Sequence, residues 1–338
     1  MSLATRFTER YQLRTPVAMA GMAFAGMTPP LGIAVSEAGA MGSIAGVGIL
    51  PLPAVDALVS GVQAGTSRAF HVNFITLYTQ DAHIDLMIDK KPAAVSFHWG
   101  HPTVAWIERL HAAGIDVWEQ VGSVDDARRA VDDGVDLVVA QGAEAGGHNF
   151  STAGTFALTP AVVDAVGDQA LVLAAGGIAD GRGLAAALML GADGAWIGTR
   201  FVATAESPVA DAYKDRLVEA KTSDTVRTHI FGREQPQFNP IRVIRNRIVT
   251  EWHERVAEVP TDSDQPIIGR MDLLGQPTEL RRFTNLVPMA GTEGDFDELP
   301  LLAGEGVGLI GDLPPAAAVV ASLREGALAA LRARCGDG

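Results

Sequence analysis

The chain has 338 residues, of which 37 are glycine and one is cysteine. Its 26 Lys and Arg residues against 40 Asp and Glu residues give a net charge of −14, and 48% of the residues are apolar. This composition excludes a disordered or collagen-like chain, and the negative charge excludes a broad nucleic-acid-binding surface. A small pocket for one phosphate, built from backbone N–H groups, stays possible.

The sequence has no segment typical of a signal peptide or a membrane span. Charges occur throughout residues 1–14, and the apolar run 17–25 is shorter than the roughly 20 residues that a bilayer requires. The single Cys335 cannot form an internal disulfide, which favours a reducing compartment. We therefore expect a cytoplasmic protein with neither a membrane nor a nucleic acid as partner.

Short apolar runs alternate with helical patterns up to about residue 200. In chain order, the runs predicted as strands are 16–20, 41–45, 69–75, 93–97, 115–120, 135–140, 170–175 and 194–198. Helical patterns between them cover 30–38, 53–64, 103–113, 124–132 and 183–190. The runs are apolar on both faces, as expected of parallel strands that helices cover. Eight such units predict a (β/α)₈ barrel, with a doubly wound open sheet as the alternative.

Distinctive residues collect at or just after the carboxyl ends of the predicted strands. They are Met22, Asn73, His98, Gln120, the segment 141–148, Gly176, Gly177, Gly198 and Thr199. In a (β/α)₈ barrel, functional residues lie at the carboxyl ends of several strands. This placement favours the barrel over the open sheet.

The alternation stops between residues 210 and 298. This stretch contains six prolines and a high density of charged residues, with helical patterns at 209–220 and 243–256. We expect an inserted, mostly helical lid subdomain at 210–298, while residues 1–209 and 299–338 form the barrel. A linker without a role is the alternative. A closing amphipathic helix is predicted at 314–334.

Two glycine-rich turns follow the seventh and eighth predicted strands, at 174–183 and 196–201. In barrels, the loops after these two strands commonly bind phosphate through backbone N–H groups. Thr199 adds a hydroxyl and Arg200 a charge, so we expect a phosphate-bearing cofactor. Tight turns that need glycine for their backbone angles are the alternative. Neither a Rossmann GxGxxG after the first strand nor a P-loop motif is present.

Two further segments contain candidate catalytic residues. In 140–150, Gln141 can hydrogen-bond a heterocycle, and His148 has an ordinary pKa suited to proton transfer near neutrality. In 91–101, the fourth strand brings His98 and Trp99 to the same end of the barrel. Each histidine can equally be a hydrogen-bonded structural residue. Motifs of the HExxH and GxSxG types are absent, so the sequence predicts neither a metal site nor a serine hydrolase.

Over nearly its whole length the chain resembles the nitronate monooxygenase family, formerly called 2-nitropropane dioxygenases, which are FMN-dependent barrels. The sharpest match is Gln-Gly-Ala-Glu-Ala-Gly-Gly-His at 141–148. Further matching segments are 16–22, 28–39, 70–74, 91–98, 175–183, 197–200 and 304–310.

The resemblance implies an enzyme that oxidises alkyl nitronates with O₂ to a carbonyl compound and nitrite. It assigns the catalytic base to His148 and substrate-facing positions to His98 and Trp99. FMN contacts are implied at Met22, Asn73, Gln120, Gln141, Gly146, Gly147, Gly176, Gly177, Trp196, Ile197, Gly198 and Thr199. The alternative function is an FMN-dependent NAD(P)H reductase of a quinone or an enoyl thioester on the same fold. We expect a small-molecule substrate and O₂ as partners, and a monomer or homodimer.

Overall fold

The computed structural model describes residues 2–262 and 264–335, and all eight predicted strands form one parallel sheet in it. The strands of this sheet are β1 (Val17–Met19), β2 (Gly42–Val47), β3 (Phe70–Ile75), β4 (Ala94–His98), β5 (Asp116–Val121), β6 (Leu137–Gln141), β8 (Leu171–Ala175) and β9 (Gly194–Ile197). A two-residue strand, β7 (Gly147–His148), pairs elsewhere.

The sheet closes on itself. From β2 to β9 each strand of this sheet pairs with the next strand of the sheet, β9 pairs in parallel with β1, and a parallel bridge between Ala18 and Met41 joins β1 to the start of β2. Between β1 and β2, the Met19 amide donates to the Met41 carbonyl and the Met41 amide to the Val17 carbonyl, both at 2.9 Å. This closure confirms the predicted (β/α)₈ barrel and excludes the open sheet.

Helices follow most of the barrel strands in the chain and pack against the sheet. They are α1 (Arg6–Tyr11), α2 (Pro29–Glu37), α3 (Leu52–Gly65), α4 (Asp81–Lys90), α5 (Val104–Ala112), α6 (Val124–Asp132), α7 (Thr155–Val166), α8 (Gly181–Met189), α9 (Thr199–Val202), α10 (Asp211–Glu219), α11 (Arg247–Trp252) and α12 (Ala316–Cys335). Side-chain caps define several starts: the hydroxyl of Ser123, for example, accepts from the Asp126 amide. No helix in the described ranges is long and apolar enough to cross a membrane.

Aromatic side chains fill the amino-terminal end of the barrel. Phe7 and Tyr11 of α1 pack against the buried indole of Trp118, with ring centroids 5.8 and 5.4 Å apart. The Tyr11 hydroxyl donates to Asp116, the first residue of β5. Because this end is plugged, a ligand can enter the barrel only from the carboxyl ends of its strands.

The segment 210–298 is mixed rather than mostly helical, so that part of the sequence prediction is wrong. Besides α10 and α11 it contains β10 (Thr225–Thr228), β11 (Ile241–Ile244), β12 (Ile267–Leu273), β13 (Gln276–Arg281) and β14 (Glu293–Gly294). These strands form two three-stranded antiparallel sheets, in the orders β10–β11–β7 and β13–β12–β14. The β-branched residues of β11 favour a strand where the sequence predicted the start of a helix.

The boundaries at 210 and 298 stay a prediction. The outer barrel limits, residues 1 and 338, lie outside the described residues, as does the side chain of Cys335. The predicted closing helix is α12, which packs against α8.

Candidate active site

A cleft opens at the carboxyl ends of the barrel strands. It encloses about 1240 Å³ of space, including its open mouth. All but two of the residues predicted for the site line it: Met22, Asn73, His98, Trp99, Gln120, Gln141, Gly146, Gly147, His148, Gly176, Gly177, Trp196, Gly198 and Thr199. The closed barrel therefore brings residues from seven of its eight strands or the loops after them to one place.

Two expected contacts are absent from this cleft. The side chain of Ile197 is buried with Val17 and Leu31 in the core between sheet and helices, because side chains alternate along a strand. The guanidinium of Arg200 donates to the side chain of Asp312 at 2.9 Å and to the carbonyl of Ala203. Arg200 thus stabilises the loop before α12 and supplies no charge to the cleft.

Glycine turns form one wall of the cleft. Gly176 and Gly177 have φ values of +112° and +72°, which L side chains rarely adopt, so both positions need glycine. Thr199 also lines the cleft and is the first residue of α9, and the first amides of a helix have no partner inside the helix. The Thr199 hydroxyl accepts from the Gly304 amide at 3.0 Å. Backbone amides at such turns and helix starts are suited to a phosphate.

A buried network orients Asn73. Its side-chain amide donates to the Ser96 hydroxyl at 2.9 Å, and that hydroxyl lies 3.0 Å from Nδ1 of His71. Burial lowers the pKa of His71 to about 4, so its ring is neutral at neutral pH. Because Nε2 of His71 lies 2.9 Å from the Met19 carbonyl, Nε2 is the donor and Nδ1 the acceptor. The network leaves the Asn73 side-chain carbonyl directed away from Ser96.

Gln141, at the end of β6, has an unused acceptor. Its Oε1 is buried and has no hydrogen-bond partner among the described residues. Its Nε2 makes only a long contact of 3.5 Å with the His148 carbonyl. A buried acceptor without a partner is costly, so this oxygen is suited to an N–H group of a ligand.

The segment 210–298 holds His148 in place. His148 pairs with Ile241 of β11, and its Nδ1 lies 2.5 Å from the carbonyl of Phe238. Since a carbonyl only accepts, Nδ1 carries the proton and Nε2 has the free lone pair. Burial lowers the pKa of His148 below the ordinary histidine value, although the Phe238 carbonyl acts in the opposite direction. A neutral His148 can therefore accept a proton at neutral pH.

His98 and Trp99 form an aromatic wall beside His148. The Trp99 ring stands edge-on to the His148 ring at 5.4 Å, and the His98 ring stacks on Phe150 at 6.1 Å. Nδ1 of His98 is buried without a partner among the described residues, and burial lowers the pKa of His98 to about 3. Both histidines of the cleft are thus neutral, and the wall around them is apolar.

Sequence reasoning missed several residues that line the cleft. Tyr213, Asn285 and Val287 come from the segment 210–298, and Leu302 follows it. No strand-end signal marks these positions, because they reach the cleft only through the tertiary packing of that segment. No Lys, Arg, Asp or Glu is among the described lining residues, and no three described His, Cys, Asp or Glu side chains come together as a metal site requires.

Together, the plugged barrel, the glycine turns and the neutral histidine define a (β/α)₈-barrel enzyme. Its cleft is suited to a ligand that carries both a phosphate and a flat polar ring.

Comparison with known proteins gives the family. The nitronate monooxygenase family model matches residues 72–326. A probable nitronate monooxygenase of Staphylococcus saprophyticus is 33% identical over 318 aligned residues, which cover 80% of this chain and 86% of that protein. A probable nitronate monooxygenase of Staphylococcus aureus is 32% identical over 307 residues, covering 78% and 83%. The chain belongs to the nitronate monooxygenase family, whose members are flavin oxidoreductases.

Two solved structures share the fold over almost the full length. FabK from Thermotoga maritima superposes with a TM-score of 0.80 at 32% identity and covers 98% of this chain and 99% of its own. A nitroalkane oxidase from Streptomyces ansochromogenes superposes with a TM-score of 0.77 at 25% identity and covers 97% and 99%. The protein is an oxidoreductase of this barrel type.

Proposed function

We propose that the protein is an FMN-dependent enzyme that oxidises alkyl nitronates, the anions of nitroalkanes, with O₂ to a carbonyl compound and nitrite. The observation that carries this proposal is the neutral His148 in the cleft, with Nδ1 bonded to the Phe238 carbonyl and Nε2 free to take a proton. The similarity to a nitroalkane oxidase supports the same substrate class.

The residues of the cleft fit FMN. The glycine turn at 176–177 and the amides at 198–199 would hold the phosphate, because Gly176, Gly177 and Gly198 have no Cβ in the way. The unpartnered Oε1 of Gln141 would accept from a ring N–H, and Asn73 and Gln120 would contact the ring system. When bound, the flavin supplies the redox chemistry, taking electrons from the substrate and passing them to O₂.

His148 acts on the substrate proton. In a nitroalkane, the carbon next to the nitro group is acidic, and Nε2 of His148 removes its proton to give the nitronate. The Phe238 carbonyl stabilises the imidazolium that results by accepting from Nδ1–H. His98 and Trp99 contact the organic part of the substrate and exclude water from the base.

We propose that the segment 210–298 is a subdomain that completes the substrate side of the cleft. Tyr213, Asn285 and Val287 lie in the lining, and the carbonyl of Phe238 holds the base. The barrel supplies the cofactor side together with His98, Trp99 and His148, and this segment supplies the rest of the substrate side.

An aerobic assay tests the proposed function. The purified flavoprotein is mixed with 1-nitropropane or with its preformed nitronate, and nitrite, propanal and O₂ consumption are measured. We expect nitrite and propanal in equal amounts from both substrates. If neither substrate gives nitrite while O₂ uptake stays at the level without enzyme, the proposal is wrong.

A second candidate is an FMN-dependent NAD(P)H reductase of a quinone or an enoyl thioester. The cleft offers the same cofactor side to both candidates, so the assay has to distinguish them. Oxidation of NADH or NADPH with a quinone or a crotonyl thioester, without any nitro compound, distinguishes this candidate from the first.

A further inference from the structure

Two arginines lie directly opposite each other on the antiparallel strands β10 and β11. They are Arg227 and Arg242, which pair in register. Like charges at directly opposed positions of a sheet are destabilising, and burial lowers the pKa of both guanidinium groups. Arg242 has an ion pair with Glu305 at 3.0 Å, whereas Arg227 has none among the described residues. Two like charges in this arrangement need further favourable contacts to offset their repulsion.

Both guanidinium groups bind the backbone of the loop that contains His148. Arg227 donates to the carbonyls of Asn149 at 2.8 Å and Ser151 at 2.7 Å. Arg242 donates through Nε and Nη2 to the carbonyl of Ala143, at 3.1 and 2.9 Å. The bonded carbonyls lie on both sides of His148, five residues before it and one and three residues after it.

The loop needs such contacts because its own sequence is flexible. Gly146 and Gly147 precede His148, and Gly147 has a φ of +72°. Between the two arginine contacts, β7 pairs with β11, and the Asn149 amide donates to the Pro240 carbonyl at 3.1 Å. The segment 210–298 therefore fixes the loop at both ends and in the middle.

From these contacts we propose that Arg227 is a positioning residue for His148. Its two hydrogen bonds fix the chain directly after His148, which keeps the imidazole at the Phe238 carbonyl and buried in the cleft. Arg242 does the same on the preceding side. This role rests on the proposed function only in assigning proton transfer to His148; the position of the ring is independent of the substrate.

The test compares Arg227→Met and Arg227→Lys with the control Arg270→Met. Arg270 lies in β12 of the same segment, is 73% exposed and makes only a 3.9 Å ion pair with Glu279, far weaker than the contacts of Arg227. The first readout is the NMR titration of His148, whose signal is identified by its loss in His148→Asn. A loosened loop admits water to the ring, so in Arg227→Met the pKa of His148 should rise towards the ordinary value of about 6.5.

The second readout is turnover. In Arg227→Met we expect kcat with a neutral nitroalkane to fall by about 10- to 100-fold with little change in KM, because a small misplacement of the base costs that much. With preformed nitronate the loss should be smaller, and the acid limb of kcat/KM should move to higher pH. Arg227→Lys keeps the charge and can reach one carbonyl, so it should lie between wild type and Arg227→Met.

The inference is wrong if the folded variants titrate His148 like wild type, whatever their flavin content. Should Arg227→Met fail to fold, Arg227→Lys carries the test through the same titration. Should wild type form no nitrite, the proposed function fails, while the titration of His148 still decides whether Arg227 positions the ring.

Discussion

His148 combines a fixed Nδ1–H with a free Nε2, so its replacement separates proton transfer from cofactor binding. We expect His148→Asn to keep flavin bound and to lower turnover of a neutral nitroalkane by about 100-fold or more, the usual scale of acid–base catalysis. Preformed nitronate needs no proton removal, so its turnover should fall much less. Steady-state rates with 1-nitropropane and propyl-1-nitronate measure both effects.

The matched control for this variant is His111→Asn. His111 is exposed on α5, where it contacts Asp136 at 2.8 Å, and should leave both rates unchanged. If His148→Asn lowers turnover of both substrates equally, His148 is not the base that removes the substrate proton, and its role is only positional.

The pKa of His148 predicts the pH dependence of the reaction. Burial lowers this pKa, so the base stays unprotonated below the ordinary histidine value of about 6.5. The acid limb of kcat/KM with a neutral nitroalkane should therefore fall with a pKa below 6.5. A pH–rate profile between pH 4.5 and 8 measures it. A limb at 7 or above would contradict a buried base.

A substitution at Gly177 tests the phosphate site proposed at 176–177 and 198–199. The φ of +72° at Gly177 disfavours any side chain, and a valine there would stand in the turn that faces the cleft. Gly177→Val should lower the flavin content of the purified protein at least about tenfold. Gly275→Val has the same kind of strain, with a φ of +84° in the turn between β12 and β13, and should keep its flavin. Full flavin content in both variants would show that the phosphate is not bound at the turn that contains Gly177.

Most site residues could be predicted from the sequence because a barrel gathers the ends of its strands at one face. Asn73 and Gln141 needed only the position of a strand end. The exceptions depend on side-chain direction: Ile197 points outward in its strand, and Arg200 bonds to Asp312 across 112 positions of the chain. The direction of a side chain and its distant bonding partner are set by tertiary packing, which a local sequence pattern does not contain.

At the scale of elements, α8 and α12 come into backbone contact at Gly181 and Gly326. A Cβ on Gly181 would lie 2.4 Å from the amide nitrogen of Ala327 and from the carbonyl carbon of Gly326. Backbone atoms cannot move aside as a flexible side chain does. Gly181→Ala should therefore force α12 away and lower the free energy of unfolding by about 1–3 kcal/mol. Urea denaturation measures the loss.

The control for the helix contact is Gly311→Ala, since no atom lies within 4 Å of the Cβ it would create. It should leave the urea midpoint unchanged. If Gly181→Ala is as stable as Gly311→Ala, the two helices do not need their close approach.

Element prediction succeeded in the barrel, but in the insertion it found α10 and missed the strands. The barrel strands are short apolar runs with a single possible environment, buried between core and helices. In 243–256, a helical period overlaps the end of β11, whose residues pair with β10 and, at Ile241 and Arg242, also with His148 and Gly147 of β7. The pairing with β7 joins residues about 95 positions apart, so no local window contains it.

At the scale of the whole molecule, buried neutral histidines predict acid sensitivity. Burial lowers the pKa of His71 to about 4 and that of His98 to about 3. Between these values and about 6.5, the unfolded chain binds a proton that the folded chain does not, so the free energy of unfolding falls as pH falls. Above pH 6.5 this contribution is constant. The slope is about 1.4 kcal/mol per pH unit for each histidine.

Urea denaturation at pH 7, 6 and 5, at one flavin concentration, measures this slope. His98→Asn removes one of the titrating groups and should have a shallower dependence than wild type. If the free energy of unfolding depends on pH equally in the two proteins, burial does not lower the pKa of His98.

The central claim is that a nitronate, not a reduced nicotinamide, delivers electrons to the flavin in this cleft. Anaerobic stopped-flow mixing of the flavoprotein with propyl-1-nitronate, and separately with NADH and NADPH, tests it through the flavin absorbance. The account predicts bleaching of the oxidised flavin by the nitronate and an unchanged spectrum with both nicotinamides. Rapid bleaching by NADPH or NADH, with no response to the nitronate, would contradict it and favour the reductase.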